Sequence, residues 1–240
     1  MAIVTGASRG IGARLAQALD AAGCRVVLVA RTEDALREVA STMANDPLVY
    51  AVDIADPEVP AQVVAAVEHE AGKVDIVVNN AGMPGFGDAR KLDVELWDRV
   101  HAVNVRAAFL FSRAAAPGMI ERGAGKIVNV ASVIAFASDG YASPYSSSKT
   151  AVLGLTRSLA VEWARRGIQV NALAPGWVAT ELNEAVRSAE FDERVLNAIP
   201  QRRWGETDDL VGPVLFLCSK ASDYVTGQTL IVDGGLLSKW

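Results

Sequence analysis

The amino-acid sequence predicts a doubly wound α/β fold, in which a seven-stranded, mostly parallel sheet carries helices on both faces. Short β-branched runs alternate with longer segments of helical period along the 240 residues. These runs are almost continuous in Val, Ile and Leu, as expected for parallel strands that are covered on both faces. Glycines follow four of the helical segments, where helix C-caps favour them. The alternation of strand and helix indicates one layered sheet.

Each element follows from its own pattern, in chain order. Strands are predicted at AIV, RVVLVA, LVYAV, VDIVVN, GKIVNVA, IQVNALA and TLIVD. Helices are predicted between them at about residues 11–22, 33–44, 57–71, 95–121, 145–166 and 207–218. Residues 175–206 are predicted to be one long irregular segment, whose length is typical of a lid over an active site. Residues 1–240 are expected to form a single domain, because the chain has no internal repeat or linker.

The composition argues against several classes of protein. The net charge of −5 and the pI near 5.2, with no dominant Lys/Arg cluster, argue against a nucleic-acid partner. The cysteines and histidines are too widely spaced for a zinc site or a disulfide framework, so no metal is expected. Charged residues interrupt the apolar stretch 114–138, and no signal peptide is visible. We therefore expect a cytoplasmic protein without a membrane partner.

The segment TGASRGIG follows the first predicted strand directly and leads into the first helix. Gly6, Gly10 and Gly12 would let the backbone turn tightly and approach a pyrophosphate, while the helix N-terminus offers free N–H groups. A plain strand-to-helix turn is the alternative, but the strand before the loop and the helix after it favour dinucleotide binding. The sequence therefore predicts a Rossmann-type domain.

The end of the second strand indicates which dinucleotide is bound. An acidic residue there would bind the ribose diol of NAD, but the sequence is VLVAR, with Ala30 followed by Arg31. The guanidinium of Arg31 suits a 2′-phosphate, and Arg9 in the glycine-rich loop could approach it from the other side. Isolated surface arginines are usually only solvated charges. Because both face one phosphate site, we predict NADP(H), with NAD(H) less favoured.

The segment YSSSK places Tyr145 and Lys149 four residues apart, so they are neighbours if the segment is helical. Such a pair is usually an exposed helix face, and the spacing alone does not make it catalytic. The three serines between them, residues 146–148, are interpreted as small spacers.

Several motifs together resemble one family. They are TGASRGIG, NNAG at residues 79–82, VNV at 103–105, ASV at 131–133, YSSSK at 145–149, PGWVAT at 175–180 and VDGG at 232–235. In their order and spacing, the chain resembles the short-chain dehydrogenase/reductases along its whole length. The resemblance implies hydride transfer between a nicotinamide cofactor and a carbonyl or alcohol carbon.

The resemblance also implies a role for each of four residues. Tyr145 would be the general acid and base, and Lys149 would lower the pKa of Tyr145 and hold the nicotinamide ribose. A cation about 5 Å away contributes about 3 kcal/mol at an effective dielectric near 20, against the roughly 4 kcal/mol needed to bring a phenol near neutrality. Ser132 would bind the substrate oxygen. Asn104 would distort its helix and bind a water that serves Lys149.

A further set of residues would hold the cofactor if the resemblance is followed. They are Gly6, Ser8, Arg9, Gly10, Ile11, Gly12, Arg31, Asp53, Ile54, Asn80, Ala81, Gly82, Tyr145, Lys149, Pro175, Gly176, Val178 and Thr180. Within this set, Asp53 and Ile54 would face the adenine, and residues 175–180 would enclose the nicotinamide end. The family also implies a homotetramer.

The substrate remains open at the level of sequence. The tail TELNEAV…RRWGETDDLVG…VDGGLLSKW, within residues 180–240, resembles the branch with gluconate 5-dehydrogenases and polyol oxidoreductases, which implies a sugar acid or polyol. The general plan also fits a 3-oxoacyl-acyl-carrier-protein reductase, which would need a basic docking surface. A non-catalytic NADP(H)-sensing module is an alternative of another class, since a fold alone does not give chemistry. Phe136 and Tyr141, in a bulky stretch before Tyr145, are candidate substrate contacts.

Overall fold

The computed structural model describes residues 1–181 and 188–239. These residues form a central sheet of seven strands. Its strands are β1 Ala2–Thr5, β2 Val26–Ala30, β3 Leu48–Ala51, β4 Ile76–Asn79, β5 Gly125–Val130, β6 Ile168–Pro175 and β7 Thr229–Val232. They lie in the order β3-β2-β1-β4-β5-β6-β7, and all of these neighbouring pairs are parallel. All seven predicted strands are therefore confirmed.

The strand order reverses between β1 and β4. From β1 the chain proceeds outward through β2 to β3, and it then returns to pair β4 with the other side of β1. Loops that leave the carboxyl ends of β1 and β4 consequently diverge, and they open a crevice at this edge of the sheet. The crevice is where the fold places a ligand.

Helices cover both faces of the sheet. They are α1 Gly10–Ala21, α2 Glu33–Ser41, α3 Val59–Ala71, α4 Val94–His101, α5 Ala107–Arg122, α6 Ser143–Trp163, α7 Ala189–Ala198 and α8 Val211–Cys218. The predicted helix at 95–121 is interrupted, because Ala102–Arg106 between α4 and α5 has π-helical hydrogen bonding. Within the described part of the chain, no helix has the length and apolar character needed to cross a membrane.

Alternating strand residues pack into two separate cores. Val4, Leu28 and Val78 face one core, with α1 and α8 packed over it. Ile3 and Val77 face the opposite core, which α3 and α5 cover. Burial on both faces accounts for the continuous Val, Ile and Leu runs in the strands, since each fully buried side chain of this kind contributes about 1.5–3 kcal/mol.

The prediction of an irregular segment over 175–206 is wrong in part. Pro175 still belongs to β6, and Ala189–Ala198 form α7, whose N-terminus is capped where the Ser188 side chain accepts a hydrogen bond from the Phe191 amide (3.1 Å). Helix α7 has a weak sequence signal, because half of its ten residues are polar and only Val195 is buried in it. Residues 182–187 of the predicted lid lie outside the described residues.

Candidate active site

The glycine-rich loop connects β1 to α1 at the crevice. Gly6 and Gly10 have φ angles of +67° and +55°, which residues with a side chain rarely adopt. A Cβ atom at Gly12 would overlap the carbonyl group of Gly6. The first turn of α1 has no side-chain cap, because Arg9 at the N-cap position makes no capping hydrogen bond. Its N–H groups are therefore available to an anion.

Hydrogen bonds fix this loop to the end of β4. Thr5 Oγ1 accepts hydrogen bonds from the Asn80 amide (3.1 Å) and the Ala81 amide (3.0 Å). Asn80 Nδ2 in turn donates to the carbonyl groups of Thr5 (2.9 Å) and Gly6 (3.3 Å). The NNAG segment thus holds the glycine-rich loop in one conformation, and Ser8 and Ile11 lie partly buried within that loop.

The ends of β2 and β3 form the outer edge of the crevice. Arg31, which follows β2, is exposed, and so is Arg9 in the glycine-rich loop. Asp53 accepts a hydrogen bond from Arg99 Nη2 (2.6 Å) at Oδ2 and from the Ala55 amide (3.0 Å) at Oδ1. Ile54 is buried and packs into the core beneath α3 and α5. Arg99 was not predicted from the sequence, because 46 residues separate it from Asp53.

Tyr145 and Lys149 lie on one face of α6, and Lys149 Nζ is 5.8 Å from the centroid of the Tyr145 ring. The lysine is buried, and Nζ donates a hydrogen bond to the Val130 carbonyl at the end of β5 (2.7 Å). Gly82 passes close to this group, since a Cβ atom there would lie 3.2 Å from Nζ. The structure therefore brings the predicted pair to the carboxyl edge of the sheet.

Burial changes the acidity of both groups. It lowers the pKa of Lys149 to about 8, because the charged ammonium loses its hydration. Burial also raises the pKa of Tyr145 above its ordinary value, although the hydrogen bond with Ser132 acts in the opposite direction. Without a cofactor, the effect of burial on the pKa of Tyr145 thus exceeds the effects that lower it.

Ser132 lies between β5 and α6. It occupies the N-cap position of the short 3-10 helix Val133–Ala135, where Oγ accepts a hydrogen bond from the Ile134 amide (3.3 Å). The same side chain hydrogen-bonds the Tyr145 side chain. Ser132 therefore both caps a turn and contacts the hydroxyl group that would exchange the proton.

Asn104 lies within the π-helical turn and is buried. Its Oδ1 accepts a hydrogen bond from the Met83 amide (2.8 Å), and its Nδ2 donates to the Met83 carbonyl (3.1 Å) and to Ser148 Oγ (2.9 Å). Ser148 Oγ donates onward to the Tyr145 carbonyl (2.8 Å). Asn104 thus connects the loop after β4 to α6.

The three serines at residues 146–148, interpreted from the sequence as small spacers, also make hydrogen bonds to other elements. Ser148 is fully buried and bonded to Asn104 as described. Ser146 Oγ lies 2.7 Å from Ser138 Oγ, and Ser147 Oγ lies 3.3 Å from His101 Nε2. No local sequence pattern could reveal these contacts, because their partners lie on other elements.

Aromatic side chains border the open side of Tyr145. The ring of Phe86 lies 6.2 Å from the ring of Tyr145, centroid to centroid, and it is exposed. Phe86 was not predicted. Phe136 and Tyr141 are also exposed, and the Tyr141 carbonyl accepts a hydrogen bond from the Gly87 amide (2.7 Å). The loops that contain residues 86 and 141 therefore lie side by side near Tyr145.

The segment after β6 closes the crevice from the far side. The Gly176 amide donates to the Val232 carbonyl (2.9 Å), and a Cβ atom at Gly176 would lie 2.8 Å from Asp233 Cα. Val178 is buried, while Thr180 reaches back to the glycine-rich loop, with its Cγ2 3.5 Å from the position of a Cβ on Gly10. Residues 175–180 consequently join both ends of the site.

Metal chemistry was not predicted for this site. Among the described residues, no group of three or more His, Cys, Asp or Glu side chains is arranged to hold a metal ion. The charged groups around the crevice include Arg9, Arg31, Asp53, Arg99 and Lys149, and Glu181 Oε2 lies 3.5 Å from the position of a Cβ on Gly10.

Comparison with known proteins relates this arrangement to dehydrogenases. The family model described as enoyl-(acyl carrier protein) reductase matches residues 6–237. Gluconate 5-dehydrogenase of Gluconobacter oxydans (strain 621H) is 41% identical over 239 residues, which are 98% of this chain and 93% of the relative. Galactitol 2-dehydrogenase (L-tagatose-forming) of Cereibacter sphaeroides is 44% identical over 239 residues, again 98% of this chain and 93% of the relative.

A solved structure agrees with these relatives. The crystal structure of a gluconate 5-dehydrogenase from Burkholderia cenocepacia J2315, in complex with NADP and tartrate, superimposes with a TM-score of 0.93 at 39% identity. The match covers 100% of this chain and 95% of that one. This chain and that dehydrogenase thus share one fold.

Proposed function

Because this chain belongs to the short-chain dehydrogenase/reductase family, we propose that it interconverts a secondary alcohol and a ketone of a sugar acid with NADP(H). The sequence-based assignment to this family, and to an oxidoreductase of this class, is confirmed. The observation that carries the proposal is the position of Tyr145 beside the buried Lys149, whose Nζ lies 5.8 Å from the centroid of the Tyr145 ring.

The residues present fit a dinucleotide with a 2′-phosphate. Gly6 and Gly12 leave no room for a side chain at the turn, so a pyrophosphate could approach the backbone and the uncapped start of α1. Arg31 and Arg9 are exposed at the edge where the 2′-phosphate would lie. In support, the Burkholderia relative was crystallised with NADP. When bound, the nicotinamide would supply or accept the hydride.

In this proposal Tyr145 donates or accepts the proton. In reduction the Tyr145 hydroxyl protonates the substrate oxygen while the carbonyl carbon receives hydride, and in oxidation the phenolate removes the hydroxyl proton. Ser132 donates a hydrogen bond to the same substrate oxygen and stabilises the negative charge that develops there. The positive charge of an oxidised nicotinamide would add to that of Lys149, which alone does not offset the burial of Tyr145.

Lys149 and Asn104 have supporting roles. Lys149 would hold the nicotinamide ribose hydroxyls and stabilise the Tyr145 phenolate, and the Val130 carbonyl keeps its Nζ in place. Asn104 fixes the distance between α6 and the loop after β4, which passes directly over Lys149. The prediction that Asn104 also binds a water serving Lys149 remains part of the proposal.

The substrate class is inferred from the relatives and from the open side of the site. The Gluconobacter relative is a gluconate 5-dehydrogenase, and the Cereibacter relative acts on galactitol. The Burkholderia relative was crystallised with tartrate, a hydroxylated dicarboxylate. Phe86 and Tyr141 would border such a substrate in this chain. A sugar acid is therefore favoured over an acyl thioester.

The proposal extends to assembly and location. We place the chain in a homotetramer, as the family resemblance implies, and the exposed side chains of Phe109, Val161, Phe216 and Ile231 offer apolar surface for subunit contacts. The free thiols of Cys24 and Cys218 suit a reducing cytoplasm. Light scattering at micromolar concentration tests the assembly, and a monomer would contradict it.

A carbonyl screen tests the activity. Purified protein is incubated with NADPH or NADH and with 5-keto-gluconate, L-tagatose or a 3-oxoacyl thioester, and cofactor absorbance at 340 nm is followed. We expect the highest kcat/KM with NADPH and the keto acid. Faster reduction of the thioester would move the substrate to the acyl class, whereas binding of NADPH without reduction of any carbonyl compound would favour a sensing module.

A further inference from the structure

Asp53 and Arg31 lie side by side at the outer edge of the crevice. Ala30 at the end of β2 is in register with Ala51 at the end of β3, and the Val52 amide donates a hydrogen bond to the Ala30 carbonyl (2.8 Å). Arg31 and Asp53 each follow one residue beyond that hydrogen bond. A carboxylate therefore lies next to the cation that is proposed to bind the 2′-phosphate.

This position creates two electrostatic problems for NADP(H). A carboxylate beside the phosphate repels it, and the same carboxylate can pair with Arg31 and withdraw it from the phosphate. Asp53 is ionised at neutral pH: burial raises its pKa, but the Arg99 hydrogen bond, the Ala55 amide and the charges of Arg99 and Arg31 lower it further. The negative charge at this edge is thus permanent under physiological conditions.

From its position on α4, Arg99 reduces both the repulsion of the phosphate by Asp53 and the pairing of Asp53 with Arg31. Its Nη2 lies 2.6 Å from Asp53 Oδ2, while the Ala55 amide occupies Oδ1. Both carboxylate oxygens are consequently engaged by partners other than Arg31. We propose that Arg99 is a specificity-determining residue, which neutralises Asp53 and so leaves Arg31 free to bind the 2′-phosphate of NADP(H). This inference rests on the proposed function.

The ion pair between Arg99 and Asp53 is not needed for the stability of the fold. The Arg99 and Asp53 side chains are 40% and 44% exposed, and ion pairs with that exposure contribute little to folding. Their electrostatic effect on a ligand differs, because a phosphate bound at this edge would displace water and reduce the screening between charges. The effect of Arg99 should therefore appear in the choice of ligand and hardly at all in the melting temperature.

Arg106 provides a matched control. It lies seven residues after Arg99 on the same helical segment, and its Nη2 donates to the Ala55 carbonyl (2.7 Å). It thus contacts the same loop through the backbone and makes no hydrogen bond to Asp53 among the described contacts. If Arg99 merely supported the loop, removal of either arginine would affect NADP⁺ and NAD⁺ alike.

Direct binding measurements test the inference without turnover. Calorimetry at low ionic strength gives the Kd of NADP⁺ and NAD⁺, and of the fragments 2′,5′-ADP and 5′-AMP, for each variant. In Arg99→Leu we expect the affinity ratio of NADP⁺ to NAD⁺ to fall about five- to tenfold, with a similar fall for the fragments. Arg99→Gln should behave alike, and Arg99→Lys should retain most of the preference.

A double variant gives the sharpest outcome. In Asp53→Asn/Arg99→Leu the carboxylate charge is gone, so the preference for NADP⁺ should return toward the wild-type ratio. An unchanged ratio in Arg99→Leu, an equal loss in Arg106→Leu, or no recovery in the double variant would each overturn the inference. The wild-type ratio tests the proposed cofactor separately, because only the change in ratio between variants bears on Arg99.

Discussion

The ammonium group of Lys149 donates a 2.7 Å hydrogen bond to the carbonyl of Val130, so the last residue of β5 fixes a cation on α6. This contact is buried, and the sheet edge supplies the only oxygen bonded to Nζ among the described contacts. This hydrogen bond therefore holds α6, which contains Tyr145 and Lys149, against the end of the sheet. Burial of this cation destabilises the fold, and the size of that destabilisation can be measured as a change of stability with pH.

Lys149→Met should lose turnover and weaken cofactor binding while leaving the fold at least as stable at pH 7. The folded-state pKa is about 8, against about 10.4 in an unfolded chain, so the unfolded state binds more protons between these values. Wild-type stability should therefore rise as pH rises from 8 to 10.5, by at most about 3 kcal/mol. Urea midpoints of both proteins at pH 7 and pH 10 measure the difference.

The expected sign is specific. The stability of Lys149→Met relative to the wild type should be highest at pH 7 and lowest at pH 10. At high pH the wild-type lysine loses its proton, so the wild type no longer carries the penalty of a buried charge. Loss of the hydrogen bond to Val130 reduces the gain at every pH. A variant that is less stable by the same amount at both pH values would show that burial of the charge carries no penalty here.

Tyr145→Phe should reduce kcat about 10²- to 10⁴-fold, because the phenylalanine ring cannot exchange the proton. Cofactor affinity should change less than about twofold, since Lys149 and the glycine-rich loop remain. Steady-state kinetics and calorimetry with NADP⁺ measure the two quantities. Tyr224→Phe is the matched control, because Tyr224 is exposed and has no role in the proposed site; comparable losses in both variants would remove Tyr145 from its proposed role.

Asn104→Ala should lower kcat about 10- to 100-fold, because α6 and the loop after β4 lose their connection. Unfolding free energy should fall by about 1–3 kcal/mol, since buried partners are left without hydrogen bonds. Ser148→Ala should have a smaller effect on kcat, and the double variant should be no worse than Asn104→Ala alone.

Ser147→Ala serves as the control for that cycle. Its hydroxyl lies near His101 and does not touch Asn104, so kcat should stay within about twofold of the wild type. Additive losses for Asn104 and Ser148 would show that the two side chains act independently, contrary to the hydrogen bond that joins them.

Gly12→Ala should abolish cofactor binding and destabilise the fold by more than about 2 kcal/mol, because the new Cβ would overlap the Gly6 carbonyl. Gly212→Ala in α8 is the comparison, since a Cβ there meets nothing within 4 Å. That variant should be neutral or more stable by up to about 1 kcal/mol. Thermal melting with and without NADP⁺ distinguishes the two, and similar melting curves would contradict the crowding at Gly12.

The sequence by itself determined the strands and the local motifs. The seven strands, the turn at Gly6 and Gly12, and the alignment of Tyr145 with Lys149 depend on periodicity or on spacing within a few residues. Such patterns depend only on residues that are close together in the sequence, so they can be recognised without the rest of the chain.

Only the tertiary structure decided which distant side chains meet and how burial changes their acidity. Asn104 reaches Ser148 across 44 residues, and Arg99 reaches Asp53 across 46. Burial raises the pKa of Tyr145, and the spacing of Tyr145 and Lys149 could not show this, because desolvation depends on everything packed around the ring. Long-range contacts and burial are properties of the folded chain, and no local pattern encodes them.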